Sequence, residues 1–173
     1  SALVTIAEPE VRVWTNVGDA HLGFFGSADA IADAKAEILE RAGTDDVLVC
    51  NIDDPRIMSK TGVFPGRTLT FGTAPAATVR AHSVEDHGID GMRARVITPV
   101  GERWIQTRLL GRGNLANVLA TIAVALDFGV SLDEIVETTA RLKSADRRGT
   151  VRRLRGGIAL IDDSYNSSPA ALH

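Results

Sequence analysis

The chain has 173 residues, of which 45% are hydrophobic and 24% charged, and its formal net charge is −3 at pH 7. This composition is typical of a globular protein of one domain, or of one domain and part of another, and it gives no reason to expect nucleic-acid binding. No apolar run reaches the roughly 20 residues of a membrane-spanning helix, so we expect no membrane insertion. The N-terminus lacks the features of a signal peptide, and the single cysteine, Cys50, is compatible with a reducing cytoplasm.

The first half of the chain alternates predicted strands and helices. Residues 11–17 are rich in β-branched side chains and predict a strand, after which Ser27 is expected to begin a helix that reaches about Ala42. Further strands are predicted at 47–50 and 67–71, and residues 78–110 form a β-rich stretch with turn signals.

The second half begins with two predicted helices. The first spans residues 114–128, and the second starts at Ser131, which forms a capping box with Glu134, and reaches about Leu142. A polar linker and two short strands follow, at 143–149, 151–154 and 158–161. This alternation predicts an α/β fold with a largely parallel sheet.

The last predicted strand, residues 158–161, is apolar and is expected to be buried. It is followed by a polar segment that runs from Asp162 to Pro169. Ligands of open α/β sheets bind beyond the carboxyl ends of strands, which favours a functional site here. The same residue types also form Asx and serine turns, so a plain turn remains an equal alternative.

Lys35 falls on the apolar stripe of its predicted helix, one turn beyond Ile31. A lysine on a core-facing stripe is costly unless its charge is paired or removed, and a neutral amine is a nucleophile. The alternative is a lysine that buries its stem and keeps its ammonium in water.

Three further groups of polar residues could take part in ligand binding. The loop after the first strand carries Asn16, Asp19 and His21, which suit a hard cation or a phosphate. Asn114 and Asn117 lie at a glycine-rich helix start, where Asn114 could cap the helix and an amide could read an adenine edge. Arg148 and Asp163 could clamp a nucleotide, or form a surface ion pair.

The order and spacing of these residues resemble those of the motifs of the Mur ligases, the enzymes of peptidoglycan synthesis. The resemblance covers nearly the whole chain except the β-rich stretch from Ala74 to Arg108, and is strongest in the last motif. The matching motifs are Thr15–Leu22 with Lys35–Ile38, Asn51–Asp54, Gly111–Asn117 and Asp162–Pro169.

The resemblance implies a metal site in the central domain of the family. Lys35 would be carbamylated by carbon dioxide, which converts a cation into an anionic ligand of Mg²⁺, and His21 would lie beside the same ion.

The resemblance also implies a nucleotide site. Asn114 and Asn117 would belong to the adenine motif, Arg148 would approach the ATP phosphates, and Asp163 would contact the ribose hydroxyls. The family usually has histidine where this chain has Gly113, so contacts to the base are expected to differ in detail.

The activity implied is that of a cytoplasmic, bacterial, ATP-dependent ligase that forms a carbon–nitrogen bond through an acyl phosphate. Its implied substrates are UDP-MurNAc-tripeptide and D-Ala-D-Ala, and Ser164, Tyr165 and Asn166 would line the substrate cleft.

The phosphate-binding sequence Gly-x-x-x-x-Gly-Lys-Ser/Thr does not occur in these 173 residues. We therefore expect an internal segment: residues 1–144 as the latter part of a P-loop-type ATPase central domain, and residues 145–173 as the start of a Rossmann-like C-terminal domain. The rest of the protein would be required for activity, and the segment alone is expected to be inactive.

Two other functions remain open at this point. One is a non-catalytic module that binds an adenine nucleotide or a partner. The other is a phosphohydrolase that uses Asp162 and Asp163, which would need further carboxylates at the same strand end.

Overall fold

The main sheet of the chain is parallel in its first half and antiparallel in its second. A computed structural model describes residues 2–18 and 25–165, and in them this sheet has the strand order β1–β2–β3–β4–β5–β6. Strands β1 to β4 pair in parallel, whereas β4, β5 and β6 pair antiparallel. The strands are β1 (Val11–Trp14), β2 (Val47–Asn51), β3 (Arg67–Gly72), β4 (Val79–Asp86), β5 (Met92–Thr98) and β6 (Gly101–Thr107). The predicted α/β fold is confirmed, and the β-rich stretch is its antiparallel extension.

Helices cover both faces of this sheet. They are α1 (Ala2–Ala7), α2 (Ala28–Lys35), α3 (Pro55–Thr61), α4 (Gly111–Asp127) and α5 (Leu132–Arg141), and α2 continues as a 3₁₀ turn at Ala36–Leu39. The predicted caps are confirmed: the hydroxyl of Ser27 accepts from the Ala30 amide, and that of Ser131 from the Glu134 amide. Within the described ranges, no helix is long and apolar enough to cross a membrane.

The prediction that Asn114 caps its helix is wrong. Helix α4 begins three residues earlier, at Gly111, with Leu110 in the N-cap position. Asn114 instead lies in the first turns, where its side-chain amide donates to the Leu110 carbonyl (2.8 Å).

The core has one apolar layer on each side of the sheet. Alternate residues of β2 point to opposite faces, so Val49 belongs to the layer under α4, and Leu48 to the layer under α2 and α3. Helix α4 contributes Leu115, Val118, Leu119 and Ile122 to the first layer. Burial of β2 on both faces explains why its sequence is continuously apolar.

A separate two-stranded sheet follows α5, formed by β7 (Thr150–Arg153) and β8 (Ala159–Asp162). The prediction that its second strand is buried is wrong, because Ile158 is 60% exposed and Leu160 49% exposed. An isolated hairpin has no neighbouring layer to cover its apolar residues. Among the described residues, Arg153 of this hairpin forms an ion pair with Asp90, which lies in the turn between β4 and β5.

Candidate functional site

The carboxyl ends of β1, β2 and β3 meet at one edge of the sheet because these strands are parallel. Polar residues follow each strand at this edge. They are Thr15 and Asn16 after β1, Asn51 at the end of β2 with Asp53 and Asp54 after it, and Thr73 after β3.

Asn51 extends the pairing of β1 and β2 beyond the last paired residues. Its side-chain amide donates to the Thr15 carbonyl (3.0 Å), and its side-chain oxygen accepts from the Asp53 amide (2.9 Å). The side chain therefore fixes the backbone where β1 ends.

Asp54 joins the loop after β1 to the start of α3. One carboxylate oxygen accepts from the Val17 amide (2.7 Å), and the other accepts from the Arg56 amide (3.0 Å) and the Ile57 amide (3.4 Å). Aspartate before proline is a sequence signal for a helix start, and it indicates the cap of α3. The sequence gives no signal for the bond to Val17.

Asp53 holds the loop after β3. Its carboxylate accepts from the amide and hydroxyl of Thr73 (2.6 and 2.9 Å) and from the Ala74 amide (2.9 Å). Gly72 allows this close approach: it has a φ of +153°, and a Cβ atom there would lie 2.8 Å from the Asp53 carboxylate. Both carboxylates of the Asn51–Asp54 motif are thus bound to backbone.

Lys35 is exposed, so the prediction that it lies on a core-facing stripe is wrong. It is the last residue of α2, and its ammonium donates to the Asn16 carbonyl (3.0 Å). It lines an open pocket of about 420 Å³ together with Val13, Trp14 and Ile38, so the stem meets apolar surface while the charge stays accessible. The alternative of a partly buried stem with a hydrated ammonium describes this lysine.

His21 and Asp19 lie outside the described residues. Within 2–18 and 25–165, no group of three or more His, Cys, Asp or Glu side chains could hold a metal ion.

A second group of predicted residues gathers where α4 begins. Gly149 lies against Leu110, with its Cβ position 3.9 Å from a methyl group of that leucine. Leu110 also accepts the bond from Asn114, so this contact brings Arg148 to the start of α4. Asn117 is exposed, and its side-chain amide makes no hydrogen bond within the described ranges.

Arg148 stacks on Tyr165, with 3.8 Å between its guanidinium carbon and the ring centroid. The Tyr165 amide donates to the Arg147 carbonyl (3.1 Å), which ties the segment after β8 to the segment before β7. Among the residues that the structure describes, Asp163 forms no ion pair with Arg148.

The strand end at Asp162 has the geometry of a local turn. Its carboxylate accepts from the Ser164 hydroxyl (2.7 Å) and amide (3.3 Å). These bonds, with the nearby Arg152 and Arg147, lower the pKa of Asp162 below its ordinary value of 3.8. Asp162 and Ser164 therefore form the plain turn that was the alternative to a functional site. Asn166 lies outside the described residues.

The phosphohydrolase alternative needs several carboxylates converging on Asp162 and Asp163. The described part of the chain contains no such cluster. This alternative therefore has no support in the geometry.

Two known proteins with similar sequences are named as ligases. UDP-N-acetylmuramoyl-tripeptide--D-alanyl-D-alanine ligase of Mycobacterium bovis is 29% identical over 173 residues, which are 99% of this chain and 34% of that protein. UDP-N-acetylmuramate--L-alanine ligase of Anaeromyxobacter sp. is 30% identical over 164 residues, 94% of this chain and 35% of that protein. The chain thus spans about a third of the length of these relatives.

Solved structures match the fold over nearly the whole chain. MurF from Acinetobacter baumannii has a TM-score of 0.87 at 28% identity, over 96% of this chain and 36% of that one. MurF from Thermotoga maritima, solved in complex with ADP, has a TM-score of 0.82 at 29% identity, over 98% of this chain and 38% of that one.

The Mur ligase middle domain matches residues 1–125 of this sequence, which is most of the chain. This match agrees with the parallel sheet and with the motifs at its carboxyl edge. The chain belongs to the Mur ligase family.

Proposed function

We propose that this chain is the central segment of an ATP-dependent ligase that joins D-Ala-D-Ala to UDP-MurNAc-tripeptide. The observation that carries the proposal is the structural match to two MurF proteins over nearly the whole chain. Residues 1–144 would belong to the ATPase domain, and residues 145–173 would begin the C-terminal domain. The β7–β8 hairpin supports this division, because it forms a sheet of its own.

In the proposed reaction, the terminal carboxylate of the tripeptide takes the γ-phosphoryl group of ATP. The amine of D-Ala-D-Ala then attacks the acyl phosphate, and the tetrahedral intermediate collapses to an amide and inorganic phosphate. The protein has to position three reactants and to compensate the negative charge that gathers during phosphoryl transfer.

Lys35 fits the role of a carbamylated metal ligand. Its amine is exposed at the carboxyl edge and is held by the Asn16 carbonyl, so carbon dioxide can reach it. A carbamate offers the hard anionic oxygen that Mg²⁺ prefers, and magnesium sites usually combine one or two such groups with substrate phosphates. Lys35 and His21 would hold the ion, which when bound neutralises developing phosphate charge.

The residues near the start of α4 fit an adenine-nucleotide site. Asn117 would bind the adenine through its exposed amide, with Asn114 holding the helix start behind it. Arg148 would pair with ATP phosphates, for which a guanidinium is well suited, and Asp163 would accept from the ribose hydroxyls. Ser164, Tyr165 and Asn166 would line the adjoining substrate cleft.

The test is a ligation assay with the full-length protein. With ATP, magnesium, UDP-MurNAc-tripeptide and D-Ala-D-Ala, we expect an amide product together with ADP and phosphate. L-Alanine with UDP-MurNAc is the matched alternative pair, because relatives that use it match this chain with similar identity. Turnover of that pair alone would overturn the proposed substrates, and no turnover of any pair would overturn the ligase.

The non-catalytic alternative makes a different prediction for the 173-residue chain by itself. Calorimetric titration with ATP and magnesium should give weak binding or none if the chain is part of a larger site, and no ATP hydrolysis. Tight binding by this chain, together with an inactive full-length protein, would favour the nucleotide-binding module.

A further inference from the structure

Three consecutive residues after β1 are each held by a side chain from elsewhere in the chain. The Thr15 carbonyl accepts from Asn51, the Asn16 carbonyl accepts from Lys35, and the Val17 amide donates to Asp54. The two bonds from the β2 motif therefore lie on either side of the carbonyl that holds the lysine.

The bond at Val17 is the firmer of these two anchors. Its length is 2.7 Å, Val17 is buried, and the acceptor is a carboxylate, which makes the hydrogen bond charge-assisted. The other oxygen of Asp54 accepts from the first amides of α3, so both oxygens of the carboxylate are hydrogen-bonded. The position of the Asn16 carbonyl is thus set by the start of a helix.

Carbamylation changes what Lys35 can donate. The ammonium group and carbon dioxide give a carbamate and two protons: a nitrogen–carbon bond forms, one carbon–oxygen π bond becomes the carboxylate, and both protons pass to solvent. The ammonium has three N–H donors, and the carbamate nitrogen keeps one. The nearby acceptor for that N–H is the Asn16 carbonyl, 3.0 Å from the lysine nitrogen.

We propose that Asp54 is a positioning residue for the Lys35 carbamate, acting by holding Val17 and with it the Asn16 carbonyl. This inference rests on the proposed carbamylation of Lys35. It assigns a role to a residue whose carboxylate accepts from the backbone amides of Val17, Arg56 and Ile57. Loss of the anchor frees the Asn16 carbonyl to move, so that the single N–H of the carbamate is no longer oriented.

The chain supplies a closely matched pair of variants. Asp54→Ser keeps a helix-capping side chain at the start of α3, but its hydroxyl is too short to bridge to Val17 as well. Asp53→Ser changes the neighbouring carboxylate, whose hydrogen bonds go to Thr73 and Ala74 rather than to the loop after β1. Each variant replaces a carboxylate that accepts backbone hydrogen bonds, and only Asp54→Ser removes a bond to the loop after β1.

The experiment measures carbamate in the full-length protein by ¹³C NMR over a titration with ¹³C-bicarbonate, with Lys35→Ala identifying the signal. We expect Asp54→Ser to raise the bicarbonate concentration for half-occupancy about threefold to tenfold, the effect of weakening one ordinary hydrogen bond, that from the carbamate N–H to the Asn16 carbonyl. Asp53→Ser should leave that concentration unchanged. Thermal unfolding of each variant separates loss of folding from loss of carbamate.

The outcomes distinguish the two proposals. A carbamate in the unsubstituted protein that is unaffected in folded Asp54→Ser would overturn the positioning role and leave the proposed function intact. An equal rise of the half-occupancy concentration in both serine variants would mean that the effect comes from a general loss of stability. That result would also overturn the positioning role of Asp54. No carbamate in the unsubstituted protein at saturating bicarbonate would overturn the role of Lys35 and this inference together.

Discussion

The guanidinium of Arg148 lies 3.8 Å above the ring of Tyr165, so one face of the arginine is covered by an aromatic side chain. This stacking orients the guanidinium without using its N–H donors, which remain available for an anion. The two residues flank the β7–β8 hairpin, and the Gly149 contact with Leu110 brings them to the start of α4.

Replacement of Arg148 should reduce the use of ATP much more than it reduces stability. In the full-length protein, Arg148→Ala should lower kcat/KM for ATP roughly tenfold to a hundredfold, because the proposed charge-assisted contact to phosphate would be lost. The stacked pair is exposed, so the free energy of unfolding should change by about 1 kcal/mol or less. Steady-state kinetics and urea unfolding test both parts, and an unchanged kcat/KM for ATP would contradict the phosphate contact.

Removal of the Lys35 side chain should abolish ligation while the protein stays folded. Lys35→Ala should lower kcat by about a hundredfold or more, because the proposed metal ligand would be lost. Added short-chain carboxylates should restore part of the activity by replacing the carbamate oxygens. Lys60→Ala is the control, since Lys60 pairs with Asp33 on the surface. Full activity of Lys35→Ala would exclude the carbamate role.

Gly72 should be intolerant of a side chain because of Asp53. Gly72→Ala should destabilise the protein by about 2 to 4 kcal/mol, since its φ is +153° and its Cβ would lie 2.8 Å from the Asp53 carboxylate. Gly156→Ala has a φ of +78° and no atom within 4 Å of the new Cβ, so it should cost only about 1 kcal/mol. Urea unfolding compares the two, and equal losses would show that the contact with Asp53 is unimportant.

The ion pair of Arg12 and Asp46 predicts a pH dependence of stability. The Gly43 amide and the Arg12 guanidinium lower the pKa of Asp46 below its ordinary value of 3.8. A lowered carboxylate pKa gives stability that is present above the ordinary value and is lost as the pH falls through the lowered one. The native protein should therefore lose more free energy of unfolding between about pH 5 and about pH 2 than Asp46→Asn does.

Asp46→Asn should also be less stable than the native protein at neutral pH. The Arg12 side chain is 2% exposed, so Asp46→Asn leaves a buried guanidinium without its counter-charge and should cost about 3 kcal/mol. Urea unfolding across the pH range measures both effects. Parallel pH profiles for the two proteins would contradict the assignment to Asp46.

Local patterns in the sequence predict most of the secondary structure. The apolar run of β2, the cap at Ser131 and the glycine-punctuated strands β4 to β6 all lie where the sequence places them. The predictions that failed concern features that depend on contacts with distant parts of the chain. Burial of residues 158–161 requires a covering layer, and the position of Lys35 depends on where α2 ends against the loop after β1.

The bond between Asp54 and Val17 could not be predicted from the sequence. It joins residues 37 positions apart, and no local pattern reports a contact of that separation. The Asn51–Asp54 motif resembles a motif of the Mur ligases, whereas its contacts with two neighbouring loops come from the parallel arrangement of β1, β2 and β3.

The most direct test of the proposed ligase follows oxygen from the peptide to phosphate. The full-length protein would be supplied with ATP, D-Ala-D-Ala and UDP-MurNAc-tripeptide labelled with ¹⁸O in its terminal carboxylate, and the inorganic phosphate would be analysed by mass spectrometry. An acyl phosphate intermediate predicts one ¹⁸O atom in the phosphate for each amide formed. Unlabelled phosphate would mean that water attacks ATP, and it would contradict the proposed reaction.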